Sequence, residues 1–170
     1  MKPLPSTLLS AIALSLPFVN GINAQAHPSN EKVHIMSETT ISVSKADEAH
    51  SFAEIQAVTK ALQPYIIAAK TGDGDLSRTA FLDHANIVGS VAGEYSAPDA
   101  DAFAANVSST GASPEVQHRI AWIDISGPAA AAKVEFINWS GFRFTDFFVL
   151  YKKDGEWKIS GKVYDSHSNN

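Results

Sequence analysis

Cysteine is absent from the 170-residue sequence, so the chain forms no disulfide and has neither a thiol nucleophile nor a cysteine ligand for a metal. Histidine is sparse, and its six copies include no H-x-x-H or H-x-x-x-H pair. A metal site is therefore not expected. The sequence also has no G-x-S-x-G elbow, no phosphate loop and no dinucleotide fingerprint. These absences leave serine-hydrolase chemistry unsupported, and no cofactor is predicted.

Positive charge is also scarce, because 13 lysine and arginine residues face 18 aspartate and glutamate residues, a net charge of −5. Nucleic acid and anionic membrane surfaces are therefore not favoured as partners. No apolar run of about 20 residues follows the first segment, so no transmembrane helix is expected in the mature chain. A hydrophobic content of 45% over this length suits one soluble domain with a sizeable core.

The start of the chain has the pattern of a secretory signal peptide over residues 1–26. Lys2 supplies the basic end, residues 8–19 supply a short apolar segment, and residues 24–26 read A-Q-A, the small-x-small cleavage pattern. Residues 27–45 are polar and are predicted to be a flexible leader. The expected location of the mature protein is therefore periplasmic or secreted.

Residues 46–170 are predicted to form a single α+β domain. Apolar residues recur every three or four positions over 46–71, 76–84 and 99–107, which predicts three helices, with Pro64 kinking or splitting the first. Residues 86–91 are predicted to be a short strand. The period changes to two after Glu115, which predicts four long strands over 116–126, 129–139, 142–152 and 156–164.

The connections between these four strands are two or three residues long, which implies antiparallel neighbours. Within the first of them, the apolar parity changes near Trp122, which predicts a bulge and a bent sheet. Helices followed by such a sheet predict a curved antiparallel sheet wrapped around the N-terminal helices. The open end of a cone of this kind is a natural site for a small molecule.

The most informative stretch is 139–151, which reads W-S-G-F-R-F-T-D-F-F-V-L-Y. Side chains alternate between faces along a β-strand, so Asp146 lies in the middle of an aromatic row. An ionised carboxylate in apolar surroundings is costly unless it is paired, hydrogen-bonded or protonated. Asp146 therefore either has a dedicated partner or faces a cavity that a ligand enters. The residues of the same parity are Phe142, Phe144, Phe148 and Leu150.

Five blocks of the chain carry a family resemblance. They are Y-I-I-A-A-K-T-G-D-G-D-L (65–76), A-N-I-V-G (85–89), I-D-I-S-G-P-A-A-A-A-K-V-E (123–135), F-R-F-T-D-F-F (142–148) and D-G-E-W-K-I-S-G-K-V-Y (154–164). Together they resemble the NTF2-like superfamily of α+β cones, which includes ketosteroid isomerase, scytalone dehydratase and SnoaL-like cyclases. Within it the chain is most similar to the branch named putative lumazine-binding. The resemblance covers about residues 50–167 and implies the cone fold.

Two residues are candidates for acid–base catalysis. Asp146 in an apolar pocket acquires a pKa raised toward neutrality, which suits proton transfer. His84 lies where the second predicted helix meets the first strand, and in this fold that junction is near the mouth of the cone. The alternatives are a structural Asp146, bonded to a neighbouring strand or to a lysine, and a solvent-exposed His84.

Candidate ligand-binding residues surround the same region. They are Tyr65, Phe81, Trp122, Phe144, Phe148, Lys162 and Tyr164. Lys162 and Tyr164 lie opposite Trp157 in strand parity, so they face inward only if a bulge occurs near Gly161. Otherwise they are surface or dimer residues.

Three functions follow from these observations. The first is an exported small-molecule-binding domain with its pocket inside the cone. The second is a cofactor-independent lyase or isomerase that uses Asp146 and His84. The third is an interaction module that dimerises through the sheet, because Phe147, Val149 and Tyr151 make the outer face apolar too and one helix layer covers only one face. A homodimer is therefore expected.

Overall fold

The computed structural model describes residues 45–169, with side chains over 46–167. The predicted signal peptide and residues 27–44 of the predicted leader lie outside this part of the chain. The elements in chain order are α1 Lys45–Thr71, α2 Gly74–Arg78, β1 Phe81–Val91, β2 Glu94–Ser96, α3 Ala100–Thr110, β3 Gln117–Ser126, β4 Ala129–Trp139, β5 Phe142–Lys153 and β6 Glu156–Asn169.

Helix α1 is one helix that continues through Pro64, and no second helix begins after it. Proline removes one backbone hydrogen bond, but burial of one face holds the surrounding turns together. Phe52 and Ile55, which the apolar period places inward, are exposed. They lie on the first turns, ahead of the buried part of the helix. The buried face comprises Val58, Leu62, Tyr65, Ile66, Ala68 and Ala69.

Helix α2 ends at Arg78, so the predicted helix over 76–84 is wrong in its second half. The chain from Phe81 onward is strand β1 instead. The reason is a long-range pairing, in which the Ile159 N–H donates to the Ala80 carbonyl oxygen at 2.9 Å. Phe81 is also the register partner of Ile159. Tertiary pairing of this kind overrides a weak local preference for helix.

The six strands form one open sheet in the order β2-β1-β6-β5-β4-β3. The pairs β3–β4, β4–β5 and β5–β6 are antiparallel, as their short connections predict, and β1–β2 is antiparallel as well. The pair β1–β6 is parallel, so the sheet is mixed. The helices-then-curved-sheet plan is confirmed. The parallel pair was not predicted, because it joins strands that are distant in the sequence.

Bulges change which face several side chains occupy. The predicted bulge near Trp122 is present, because the register to β4 shifts between Ile120 and Trp122. In β6 the register to β5 shifts between Ile159 and Gly161, which leaves one extra residue. A bulge of one residue reverses the parity of everything after it. Lys162 is accordingly buried on the same face as Ile159.

The concave face of the sheet carries the core. Its buried side chains pack with the inner face of α1 and with Phe103 and Val107 of α3. The opposite face of β5 and β6 carries exposed apolar side chains, among them Phe147 and Val163. None of the helices within residues 45–169 combines the length and the apolarity needed to cross a membrane.

Candidate functional site

A buried polar cluster of Tyr65, Asp146 and Lys162 lies between α1 and the sheet. The Tyr65 hydroxyl donates a hydrogen bond to Asp146 Oδ2 at 2.5 Å. Lys162 Nζ lies 3.5 Å from the same oxygen. Asp146 is 0% exposed and Lys162 is 3% exposed. Asp146 thus has the dedicated partners that a buried carboxylate requires, and they come from α1 and from β6.

The alternation of β5 places Asp146 in this cluster. Asp146 is the register partner of Val134 on β4 and of Tyr164 on β6, so it lies in the middle of the sheet. Phe148, two residues further along, is buried on the same face. Asp146 Oδ1 has no hydrogen-bond donor among residues 46–167. This oxygen is therefore an unused acceptor inside the core.

Aromatic rings surround Tyr65 on several sides. Phe148 is nearest, with its ring centroid at 5.1 Å in an edge-to-face arrangement. Phe103 stacks on Tyr65 at 6.0 Å, and Phe81 meets it edge-on at 6.0 Å. Trp139 lies at 5.6 Å. These contacts fix the phenol ring, so the hydroxyl is held toward Asp146 without rotational freedom.

Lys162 Nζ lies within an aromatic cage. Its distances to the ring centroids are 4.1 Å for Tyr164, 4.4 Å for Phe103, 4.8 Å for Tyr65 and 5.8 Å for Trp139. Aromatic faces attract a cation and offer it no hydrogen-bond acceptor. The rings therefore offset part of the cost of burying the ammonium group but leave most of its donor capacity unused.

A cavity of about 300 Å³ opens beside this cage, and we call it the site cavity. Among residues 46–167, Lys162 is the one charged residue of the lining, and the walls are mainly aromatic and aliphatic. The volume is at the lower end of the range for small-molecule sites. The lining residues are Val91, Ser96, Phe103, Asn106, Val107, Thr110, Trp139, Ser140, Phe142, Phe144, Lys162 and Tyr164.

Burial shifts the pKa of each group in the polar cluster. It raises the pKa of Asp146, and the neighbouring Lys162 charge and the Tyr65 hydrogen bond oppose that rise. Burial lowers the pKa of Lys162 to about 8, against the opposing attraction of Asp146. Burial, followed by the Asp146 charge, raises the pKa of Tyr65 well above its ordinary value. Burial thus shifts each group toward its uncharged form, and the attraction between Asp146 and Lys162 opposes this by favouring the ion pair.

Gly89 on β1 allows the Tyr164 ring to form one wall of the cage. It is the register partner of Tyr164 across the parallel pair. A Cβ atom at this position would overlap both the carbonyl oxygen and the ring of Tyr164. A glycine is thus required here by close approach of a neighbouring side chain.

Two candidate residues are not brought to this site. His84 is exposed on β1 and is absent from both the polar cluster and the cavity lining. The adjacent Asp83 pairs with Arg78 at 2.9 Å and does not orient His84. Trp122 is 44% exposed and lies 6.4 Å from the ring of Phe147, on the outer face. The bulge before Trp122 turns its side chain away from the cone. Neither His84 nor Trp122 therefore contributes to the site cavity.

The other candidates divide between two layers. Phe144, Lys162 and Tyr164 line the site cavity. Phe81 and Phe148 are buried behind it and support Tyr65. Among residues 46–167, no group of three or more histidine, aspartate and glutamate side chains is arranged to hold a metal ion.

Phe103 and Trp139 line the site cavity, although the sequence pattern did not indicate them as site residues. Phe103 marks the apolar side of α3, but where that helix lies on the sheet is not encoded locally. Trp139 shares strand parity with the exposed Ile137, yet it is buried. The register of β4 against β5 shifts between Phe136 and Trp139, and Asn138 has a positive φ of 61°. This bulge turns the Trp139 side chain inward, and the apolar periodicity of β4 did not reveal it.

A larger groove of about 560 Å³ lies over the first residues of β3 and β5 and the second half of β4. It is open and carries mixed charges, including the Lys133–Glu135 ion pair at 2.7 Å and Arg143. Such pairs are typical of a solvated surface. The site cavity differs because its cation, Lys162, is buried.

Comparison with known proteins supports the fold and the family. Residues 53–165 match the family model described as "Putative lumazine-binding". The chain is similar to an NTF2-like protein of unknown function from Methylobacillus flagellatus KT, with 37% identity, a TM-score of 0.64 and coverage of 75% of this chain and 98% of that one. It is also similar to an NTF2-like protein of unknown function from Shewanella baltica OS155, with 32% identity, a TM-score of 0.63 and coverage of 75% of this chain and 100% of that one.

A more distant structure shares the fold alone. It is a ketosteroid isomerase-like protein from Erwinia carotovora atroseptica, with 16% identity, a TM-score of 0.54 and coverage of 68% of this chain and 97% of that one. No curated protein matches the chain. The family match covers more than half of the sequence, and the two closer similarities span nearly the full length of those proteins. The chain is therefore a member of the putative lumazine-binding family within the NTF2-like superfamily.

Proposed function

We propose that this domain binds a planar, anionic small molecule in the site cavity, with the anionic group placed at Lys162. The family name points to a small-molecule ligand, and lumazine is a planar heteroaromatic compound. The observation that carries the proposal is the buried ammonium group of Lys162, which lines the cavity and has Asp146 Oδ2 at 3.5 Å as its counter-charge.

The lining of the cavity suits such a ligand. Phe144, Trp139 and Tyr164 supply flat apolar surface for the body of the molecule. Lys162 supplies a charge-assisted donor in a region from which water is largely excluded, where such a bond is strong. Ser96 and Asn106 add neutral polar groups to the lining. Few polar groups among apolar walls are typical of small-molecule sites, where they fix the orientation of the ligand.

Calorimetric titration with lumazine and with naphthoate, a planar carboxylate, tests the proposal. We expect Lys162→Met to weaken binding of naphthoate by about 10- to 100-fold, because one hydrogen bond to a charged group contributes about 1.5–3 kcal/mol. Lys60→Met removes an exposed lysine on α1 and is the matched control, with affinity expected to equal that of the parent. Absence of binding by both probes, or equal affinity in Lys162→Met, would contradict the proposal.

A second proposal concerns assembly as a homodimer through the outer face of the sheet. Phe147, Val149 and Val163 are 47%, 53% and 58% exposed on adjacent strands. Trp122 and Tyr151 extend this apolar surface. Contiguous exposed apolar surface favours burial against a second copy, most often across a two-fold axis.

Light scattering at micromolar concentration measures this directly. The parent chain is expected to have twice the monomer mass, and Phe147→Glu is expected to shift it to monomer because a charge would be buried in the interface. Ile67→Glu makes the same kind of change at an apolar residue of α1 that is 46% exposed, and it is the matched control. A parent that remains monomeric throughout would overturn the dimer.

We also propose export to the periplasm or the extracellular medium. The support is the sequence pattern of residues 1–26, with its basic start, short apolar segment and A-Q-A site. The expected mature N-terminus is His27. N-terminal sequencing of protein from its own host checks this, and a retained Met1 on membrane-bound protein would contradict it.

A further inference from the structure

Lys162 has the surroundings of a reactive amine. Lys162 lines the site cavity, and its Nζ lies 4.4 Å and 4.1 Å from the ring centroids of Phe103 and Tyr164. Asp146 Oδ2 lies 3.5 Å from the Lys162 Nζ. The same oxygen also accepts a hydrogen bond from the Tyr65 hydroxyl. An amine in an apolar pocket beside a proton carrier is the arrangement that activates lysine toward carbonyl compounds.

We propose that Lys162 captures aldehyde or ketone ligands covalently, as an imine on Nζ. The proposal rests on the proposed function, since the carbonyl compound enters the same site cavity, and it adds aldehydes and ketones to the anionic ligands of that site. The cavity walls select a planar, apolar carbonyl compound. Burial also lowers the pKa of Lys162 to about 8, so a larger share of this amine is neutral at neutral pH than of a surface lysine.

The polar cluster supplies the proton transfers that the reaction requires. The Lys162 ammonium first gives one proton to Asp146, and the neutral nitrogen attacks the carbonyl carbon. The carbon–nitrogen bond forms, and the former carbonyl oxygen takes a second proton from the nitrogen. Asp146 then returns its proton to the nitrogen, the nitrogen passes one proton to the hydroxyl, and the hydroxyl leaves as water while the carbon–nitrogen double bond forms. The protonated imine keeps the positive charge beside the Asp146 carboxylate, so the buried ion pair is preserved.

Asp146 and Tyr65 are arranged for this role. Asp146 Oδ1 has no donor among residues 46–167, so it is open to a transferred proton. Oδ2 keeps its hydrogen bond from Tyr65 during the transfer. Because Asp146 does not line the cavity, it acts on the ligand only through Lys162.

Reductive trapping tests the proposal on the intact protein. The parent is incubated at neutral pH with naphthaldehyde and sodium cyanoborohydride, digested and mapped by mass spectrometry. We expect at least about tenfold more adduct on Lys162 than on the exposed Lys60, because Lys162 lies in the apolar site cavity beside a proton acceptor and burial favours its neutral form. Lys162→Arg keeps the cation but cannot form the imine, so its adduct is expected only at the surface background. The parent peptide map decides the result even if this variant folds poorly.

Calorimetry with naphthoate separates this proposal from the proposed function. Binding of naphthoate together with preferential adduct on Lys162 supports both. Binding of naphthoate with equal adduct on Lys60 and Lys162 overturns imine capture and leaves the binding function intact. If naphthoate does not bind and Lys162 shows no preferential adduct, both the binding function and imine capture are overturned.

Discussion

Asp146→Asn is expected to lower the free energy of unfolding by about 3–5 kcal/mol, because removing one partner of a buried ion pair leaves the other charge uncompensated. The uncompensated group is the Lys162 ammonium, which is 3% exposed. The Tyr65 hydroxyl also loses its charged acceptor. Urea unfolding at neutral pH measures the loss.

Two further variants make the result specific. Asp124→Asn makes the same chemical change at an exposed position on β3 and is expected to alter stability by less than about 0.5 kcal/mol. Asp146→Asn combined with Lys162→Met is expected to recover at least half of the loss, because no buried charge remains unpaired. An Asp146→Asn protein within about 1 kcal/mol of the parent would show that the ion pair is not structural.

The free energy of unfolding of the parent is expected to rise between pH 8 and pH 10 by up to about 3 kcal/mol more than that of Lys162→Met. Burial lowers the pKa of Lys162 from 10.5 to about 8. Between these values the unfolded chain binds more protons at this group than the native state, so stability increases with pH. Each unit of pKa difference corresponds to about 1.4 kcal/mol.

Urea unfolding of the parent and of Lys162→Met across this pH interval provides the measurement. Subtracting one free energy of unfolding from the other removes the contribution of groups that titrate equally in both proteins. The pKa of Tyr65 is raised in the native state, so Tyr65 lowers stability as the pH approaches 10, but it does so in both proteins and the comparison removes this contribution. Parallel pH profiles for the two proteins would contradict the lowered pKa of Lys162. A profile for the parent that falls relative to the variant would reverse the sign and indicate that the ammonium is stabilised in the native state.

The sequence was most informative where one local pattern persisted. The four long strands over 116–164 were predicted within a few residues of their observed bounds, because period-two alternation and turns of two or three residues act over short distances. The same alternation placed Asp146 inside the cone, since its strand continues without a bulge between Asp146 and Leu150. A carboxylate on that face required a partner on physical grounds alone.

The tertiary structure decided which partners Asp146 has. Lys162 faces inward only because one extra residue interrupts the pairing of β6 with β5. Trp139 faces inward only because the register of β4 against β5 shifts before it. The bulge near Trp122 was visible as a change of apolar parity, but in β6 the apolar residues Trp157, Ile159 and Val163 keep one parity, so their alternation does not mark the bulge before Lys162. Phe103 reaches the same cavity because α3 packs there.

By itself, then, the sequence determined the α+β plan, the strand alternation and the buried carboxylate, since each depends on residues close together in the chain. The parallel pairing of β1 with β6, the strand structure of Phe81 and the exposure of His84 depended on contacts between distant residues. Pairing with Ile159 outweighed the helical pattern that ran through residues 76–84, because backbone hydrogen bonds to a buried strand exceed a weak local propensity. The cavity at Lys162 exists only where those distant segments meet.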